Sequence, residues 1–160
     1  SLFVVSLILS IAVIEIEPSS EDMMNITTNF LKVLNACKEE LDLQSNILSD
    51  FYHFWREDYT LLNREMGCAI VCMSKKFDLL DDTGKILHGN TREFAKTSGA
   101  DDAVASTVVE LIHECEKQNE NEADECTRAL EVAKCFRTSI HQLNWAPSVN
   151  VIIREILSDI

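Results

Sequence analysis

Arg64-Glu65-Met66-Gly67-Cys68-Ala69-Ile70-Val71-Cys72-Met73-Ser74 sets two cysteines four residues apart in a segment, Arg64 to Asp78, that reads as one helix. At that spacing both side chains leave one helix face and point outward to neighbouring helices rather than at each other. Each should staple to a different helix. Cys37, Cys115, Cys126 and Cys135 complete the pattern C-x30-C-x3-C-x42-C-x10-C-x8-C. Six cysteines allow 15 pairings, and the spacing alone does not choose among them. A metal reading would gather Cys68, Cys72, His88 and His113 around zinc, but thiols exported past the reducing cytosol oxidise, and that disfavours it.

The surroundings of this segment are helical too. Only four glycines (Gly67, Gly84, Gly89, Gly99) and two prolines (Pro18, Pro147) punctuate the chain, and no strand-like alternation persists. From Asp102 to Lys117 the apolar residues Val104, Val108, Leu111, Ile112 and Cys115 share one helix face. Asn90 with Glu93 resembles a capping box that opens a short helix ending near Gly99, and Asp81-Asp82-Thr83-Gly84 reads as a turn. Cys126 to Leu143 forms a further helix. The 160 residues, 46% hydrophobic and 26% charged, suit one all-α domain. Against 27 acidic residues stand 14 basic ones, and the net charge of −13 repels phosphate backbones and anionic membranes, which excludes nucleic-acid binding.

Both ends differ from the middle. Residues 1–14 are uncharged and mostly aliphatic before Glu15, Glu17 and Pro18, a run too short to span a membrane but suited to a secretory h-region. Residues 1–18 are therefore expected to be a signal peptide that begins part-way, followed by a binding domain over 19–147 and a tail over 148–160. In the tail, Val149, Ile152, Ile153, Ile156, Leu157 and Ile160 fall at helical spacing after Trp145-Ala146-Pro147. Such an apolar terminus either packs outside the bundle or exchanges between its surface and an internal cavity. Asn25-Ile26-Thr27 is a formal glycosylation sequon, expected to be unused because it falls within the first helix.

Words flanking the cysteines carry a resemblance. Cys37-Lys38-Glu39-Glu40, Asp50-Phe51-Tyr52-His53-Phe54-Trp55, Asn63 to Ile70, Cys72-Met73-Ser74, His88-Gly89-Asn90, Glu93-Phe94-Ala95-Lys96, Gly99-Ala100-Asp101-Asp102 and Asn144-Trp145-Ala146-Pro147 resemble the moth pheromone-binding proteins, within the insect odorant-binding proteins. The match runs from about Ser19 to Ile160. It implies a compact bundle of six to seven helices around an internal apolar cavity, tied by interlocked bridges Cys37 to Cys72, Cys68 to Cys126 and Cys115 to Cys135. It further implies a non-enzymatic carrier, secreted into antennal sensillum lymph. The cargo would be a long-chain fatty alcohol, acetate or aldehyde, brought to an olfactory receptor or membrane surface; a protein-interaction module using the acidic surface or apolar tail, with a homodimer at neutral pH as its modest form, is a separate hypothesis.

Phe30, Phe54, Ile70, Phe94, Val132 and Phe136 match pocket positions, with Met23, Thr27 and Trp55 as neighbours. For any one aromatic alone, core packing is the commoner role; the resemblance singles these out. Ser74 matches the hydroxyl that bonds the ligand's oxygenated head, and Arg128 offers a second polar contact at the pocket edge. Imidazole titrates near pH 6.5, so His88 and His113 are expected to report acidification. The resemblance implies that acid opens a histidine-associated gate and that the C-terminal segment then folds into the cavity and displaces ligand. The tail has suitable chemistry, since protonating Glu155 and Asp159 lowers the cost of burying it between roughly pH 6 and 4, and the sign is release on acidification. Two departures bear on that switch: Leu87 stands where many relatives have a second histidine, and Asn150 where an acid is common. No cofactor or metal is expected. A lipid hydrolase would need a Gly-x-Ser-x-Gly elbow, a His-Glu-x-x-His pair or a His-Asp pair flanked by adjacent cysteines, and the chain has none of these. A general odorant or lipid carrier without a pH switch is the alternative.

Overall fold

In the computed structural model, residues 20–44, 46–143 and 149–158 are described, side chains 20–24, 142, 149, 151, 155, 156 and 158 excepted. These residues form seven α-helices: α1 (Ser20–Glu40), α2 (Ile47–Trp55), α3 (Arg64–Lys76), α4 (His88–Thr97), α5 (Asp102–Gln118), α6 (Glu125–Ile140) and α7 (Val149–Ser158). The all-helical expectation holds: β pairing among the described residues is one isolated bridge, Leu80 to Ile86, closing the turn at Asp81–Gly84. The segment 1–18 and Trp145-Ala146-Pro147 lie outside the described residues.

Local chemistry sets the helix starts. Asn63, Asp101 and Asp124 have extended backbones and accept hydrogen bonds from the amides of Glu65, Val104 and Thr127, which satisfies donors that a first helical turn leaves without partners. One boundary departs from expectation. Asn90 does not cap α4; the helix begins earlier, at His88, and the Asn90 side chain donates to the Asp78 carbonyl at 2.7 Å. That bond ties the start of the loop after α3 to the first turn of α4, a task for which a mid-turn amide is better placed than a cap. At the far end, Ser98 closes α4 and Gly99 turns the chain at φ +95°, where glycine avoids a Cβ clash.

Three disulfides join these helices: Cys37 to Cys72 links α1 to α3, Cys68 to Cys126 links α3 to α6, and Cys115 to Cys135 links α5 to α6. The pairing is the one the resemblance implied. Every cysteine is thereby engaged, which overturns the zinc reading through Cys68 and Cys72. Around the second bridge α3 and α6 make the broadest helix contact in the fold. Arg64, the first residue of α3, grips Asp124 with two nitrogens at 2.9 and 2.8 Å. The Arg64 guanidinium and the Thr127 hydroxyl together hold the Asp124 carboxyl well below the usual carboxylate range. Gly67 lies directly against the backbone carbonyl of Cys126, leaving no room for a side chain.

The larger core cluster gathers Leu31, Leu34, Phe51, Met66, Ile140 and Ile152 from five helices. A smaller one, Ala95, Ala100, Ala105 and Val108, lets α4 approach α5 closely. The tail helix α7 packs on α1 and α2, with Ile152 fully buried and Leu157 exposed. Of the two placements open to it, this is the one against the bundle.

Replacing Gly67 by alanine should force α3 and α6 apart and lower the unfolding free energy by about 1–3 kcal/mol. Urea unfolding of the oxidised chain checks this; a Gly67→Ala variant as stable as wild type would contradict the contact.

Candidate ligand cavity

The helices enclose a cavity of about 770 Å³, within the 300–1,000 Å³ usual for small-molecule sites. Its α6 wall repeats at helical spacing, Ala129, Val132, Ala133, Phe136, Arg137 and Ile140, and its α3 wall runs through Met66, Ile70, Met73 and Ser74 to Phe77. Of the pocket positions expected from sequence, Phe30, Phe54, Trp55, Ile70, Ser74, Phe94, Val132 and Phe136 all stand on this wall. Thr27 does not. It is fully buried, but Ile26 takes the wall position, four residues before Phe30 and so on the same helix face. The Met23 side chain lies outside the described residues.

Phe30 organises the closed end. Its ring stacks on Trp55 at 6.1 Å and on Phe94 at 6.0 Å, nearly parallel in both cases, and meets Phe51 and Phe77 edge-on at 6.3 and 5.5 Å. One side chain of α1 thus links α2, the end of α3 and α4. Such pairs contribute about 0.5–1.5 kcal/mol beyond the area they bury. Arg137, which the sequence reading passed over, is a buried cation on the wall. Its guanidinium donates twice to the carbonyl of Trp55, at 3.2 and 2.8 Å, and lies 5.3 Å from the centre of the Trp55 ring. Trp55 is the last residue of α2, so the cation meets the negative end of a helix dipole. The i, i+4, i+8 register of Val132, Phe136 and Ile140 placed position 137 on the edge of an inward face, a signal for its burial though not for its partner.

Ser74 sits half-buried in the α3 wall, and its hydroxyl makes no hydrogen bond to the protein among the described residues. Its backbone carbonyl accepts from Leu79. The exposed parts of the wall, Thr83, Lys85, His113, Lys117 and Glu120, gather at one rim, between the loop after α3, the end of α5 and the start of α6. Gly84 in this loop has φ +83° and packs beside Glu125 and Arg128 of α6, which are also on the wall. The Arg128 guanidinium donates to the Glu122 carbonyl at 2.8 Å.

His88 and His113 meet at the same rim with ring centres 4.8 Å apart. Glu116 lies between them, 3.3 Å from His88 Nε2 and 3.8 Å from His113 Nδ1, and accepts from the Ile86 amide at 2.9 Å. The Glu155 side chain and Asp159 lie outside the described residues, and no described residue of α7 lines the cavity.

A mainly apolar hollow inside a disulfide-tied helical bundle, with its ionisable groups mostly at one rim, has the form of a binding site for small apolar molecules. Residues 19–139 match the PBP/GOBP family, and the chain belongs to that family. It is 48% identical over 145 residues to pheromone-binding protein 2 of Epiphyas postvittana, covering 91% of this chain and 88% of that protein. It is 42% identical over 134 residues to general odorant-binding protein 2 of Bombyx mori, 84% of each chain. The crystal structure of Epiphyas postvittana pheromone binding protein 3 superposes with a TM-score of 0.70 at 58% identity, covering 72% of this chain and 99% of that one.

If Phe30 anchors the aromatic end, Phe30→Ala should cost about 3–5 kcal/mol of stability, and Phe30→Leu less than half as much. Denaturant unfolding of both variants tests the ranking; a loss below about 1 kcal/mol for alanine would contradict it.

Proposed function

We propose that this protein is a secreted carrier that takes up one long-chain fatty alcohol, acetate or aldehyde of the pheromone type, brings it to olfactory receptors through sensillum lymph and releases it on acidification. The single observation that carries the reading is the 770 Å³ apolar cavity with the Ser74 hydroxyl on its wall. About ten buried methylenes would contribute roughly 8 kcal/mol before the costs of association. The affinity is what remains after those costs, and the aromatic wall adds shape selection. The relatives named for pheromone and odorant binding support the same cargo class.

In this reading Phe30, Phe54 and Phe136 hold the chain, and Ser74 bonds the oxygenated head. A hydroxyl left unpaired against a hydrocarbon end costs about 1–3 kcal/mol, enough to separate an alcohol from an alkane of equal length. Release draws on the tail. Once Glu155 and Asp159 are neutral, the apolar face of α7 can leave α1 and α2 for the cavity at lower cost. His113 stands at the rim that would have to open, with the His88 ring packed against it. A general odorant carrier without acid release is the second reading, favoured specifically by Leu87 and Asn150.

Displacement of a fluorescent apolar probe by long-chain alcohols, acetates, aldehydes and alkanes at pH 7 and pH 5 tests both parts. Ser74→Ala should weaken the preferred oxygenated ligand about tenfold and leave alkanes unchanged. Equal loss for both classes would remove Ser74 from head-group recognition. Wild type should lose ligand at pH 5, whereas a chain truncated after Pro147 should retain it. Equal affinity at both pH values would refute the switch and leave the carrier standing.

A further inference from the structure

At the rim of the cavity, three donor side chains converge from two helices. His88 is the first residue of α4, and His113 and Glu116 are three apart on the last turns of α5, so they share a face. Their ligand atoms all lie within 4.8 Å of one another. A tetrahedral zinc ion with bonds of 2.0–2.1 Å holds its ligands about 3.4 Å apart. Glu116 Oε1 is 3.3 Å from His88 Nε2 and 3.8 Å from His113 Nδ1, so two of the three edges are already near that value. The third needs only a side-chain rotation by partly exposed imidazoles.

The carboxylate is also held for the task. Glu116 Oε2 is engaged by the Ile86 amide at 2.9 Å, which turns Oε1 alone toward both rings. Outer contacts of this kind orient ligands in metal sites. Two imidazoles and one carboxylate oxygen suit a borderline divalent ion, and the open side of the cluster, exposed at His113, leaves a fourth position for water. The net charge of −13 favours a cation at the surface.

We infer that His88, His113 and Glu116 form a site for one divalent transition-metal ion, zinc above all. The bound ion would join the first residue of α4 to the last turns of α5, beside the loop whose Ile86 amide Glu116 already holds. The site uses none of the cysteines.

Zinc chloride titrated calorimetrically into the full oxidised chain at pH 7.4, stripped of metal and free of apolar ligand, should show one ion per chain. Affinity should fall by about tenfold or more in His88→Ala and in His113→Ala, and stay within about twofold in His141→Ala, whose histidine pairs with Glu57 elsewhere. In the wild-type chain, zinc should shift the imidazole nitrogen resonances of His88 Nε2 and His113 Nδ1 and leave those of His53 and His141 in place, a readout that needs no variant to fold. Absence of saturable binding, or equal shifts at all four histidines, would overturn the site. Because no apolar ligand is present, that failure would leave the carrier reading untouched.

Discussion

Two covalent bonds leave one face of α3 for different helices, Cys72 to Cys37 on α1 and Cys68 to Cys126 on α6, and the rest of the molecule is arranged by that constraint. With α3 tethered on both sides, its residues Ile70, Met73 and Ser74 are fixed in place on the cavity wall that α6 also lines. An unfilled volume of this size is costly to maintain, by roughly 20 cal/mol per Å² of its surface in engineered cores. Cross-links offset such a cost by restricting the unfolded chain, with typical contributions of about 2–4 kcal/mol each. The third bridge, Cys115 to Cys135, fixes α5 to α6 and so holds the rim residues His113 and Glu116 in relation to the α6 wall.

The polar groups are disposed so that little of the cavity wall is charged in its depth. Arg137 is the exception, and the carbonyl and ring of Trp55 occupy it. The other ionisable groups of the wall collect at the rim, where water solvates them. What remains inside is an aromatic end centred on Phe30, the α6 face of Val132, Ala133, Phe136 and Ile140, and the hydroxyls of Ser74 and Thr91, the latter donating to the Leu87 carbonyl. In the proposed carrier, such a surface would discriminate by length, shape and the hydrogen bond at Ser74.

Much of this was legible before any coordinates. The four-residue cysteine interval and the absence of strand patterning implied helices stapled to different neighbours, and the family resemblance pointed to eight residues that stand on one cavity wall. Less legible features depended on contacts across the chain. Thr27 and Ile26 are adjacent in sequence, and only the rotation of α1 about its axis decides which faces the hollow. Asn90 looks like a cap because its spacing to Glu93 is right, yet a distant carbonyl at Asp78 claims its side chain. The burial of Arg137 follows from the end of α2 arriving beside it, 82 residues away in sequence. The convergence of His88 with His113 and Glu116 needs the α4 and α5 packing that the small residues Ala95, Ala100 and Ala105 permit.

The central claim is that the hollow bounded by α1, α3, α4 and α6 holds one extended apolar molecule. It is tested most directly by nuclear Overhauser contacts between the protein and an isotopically labelled sixteen-carbon alcohol at pH 7. The account predicts one bound chain whose methylenes contact the rings of Phe30, Phe94 and Phe136 and whose hydroxyl-bearing carbon contacts the Ser74 side chain. Contacts confined to the exposed surface of α7, or none to the three rings, would contradict it.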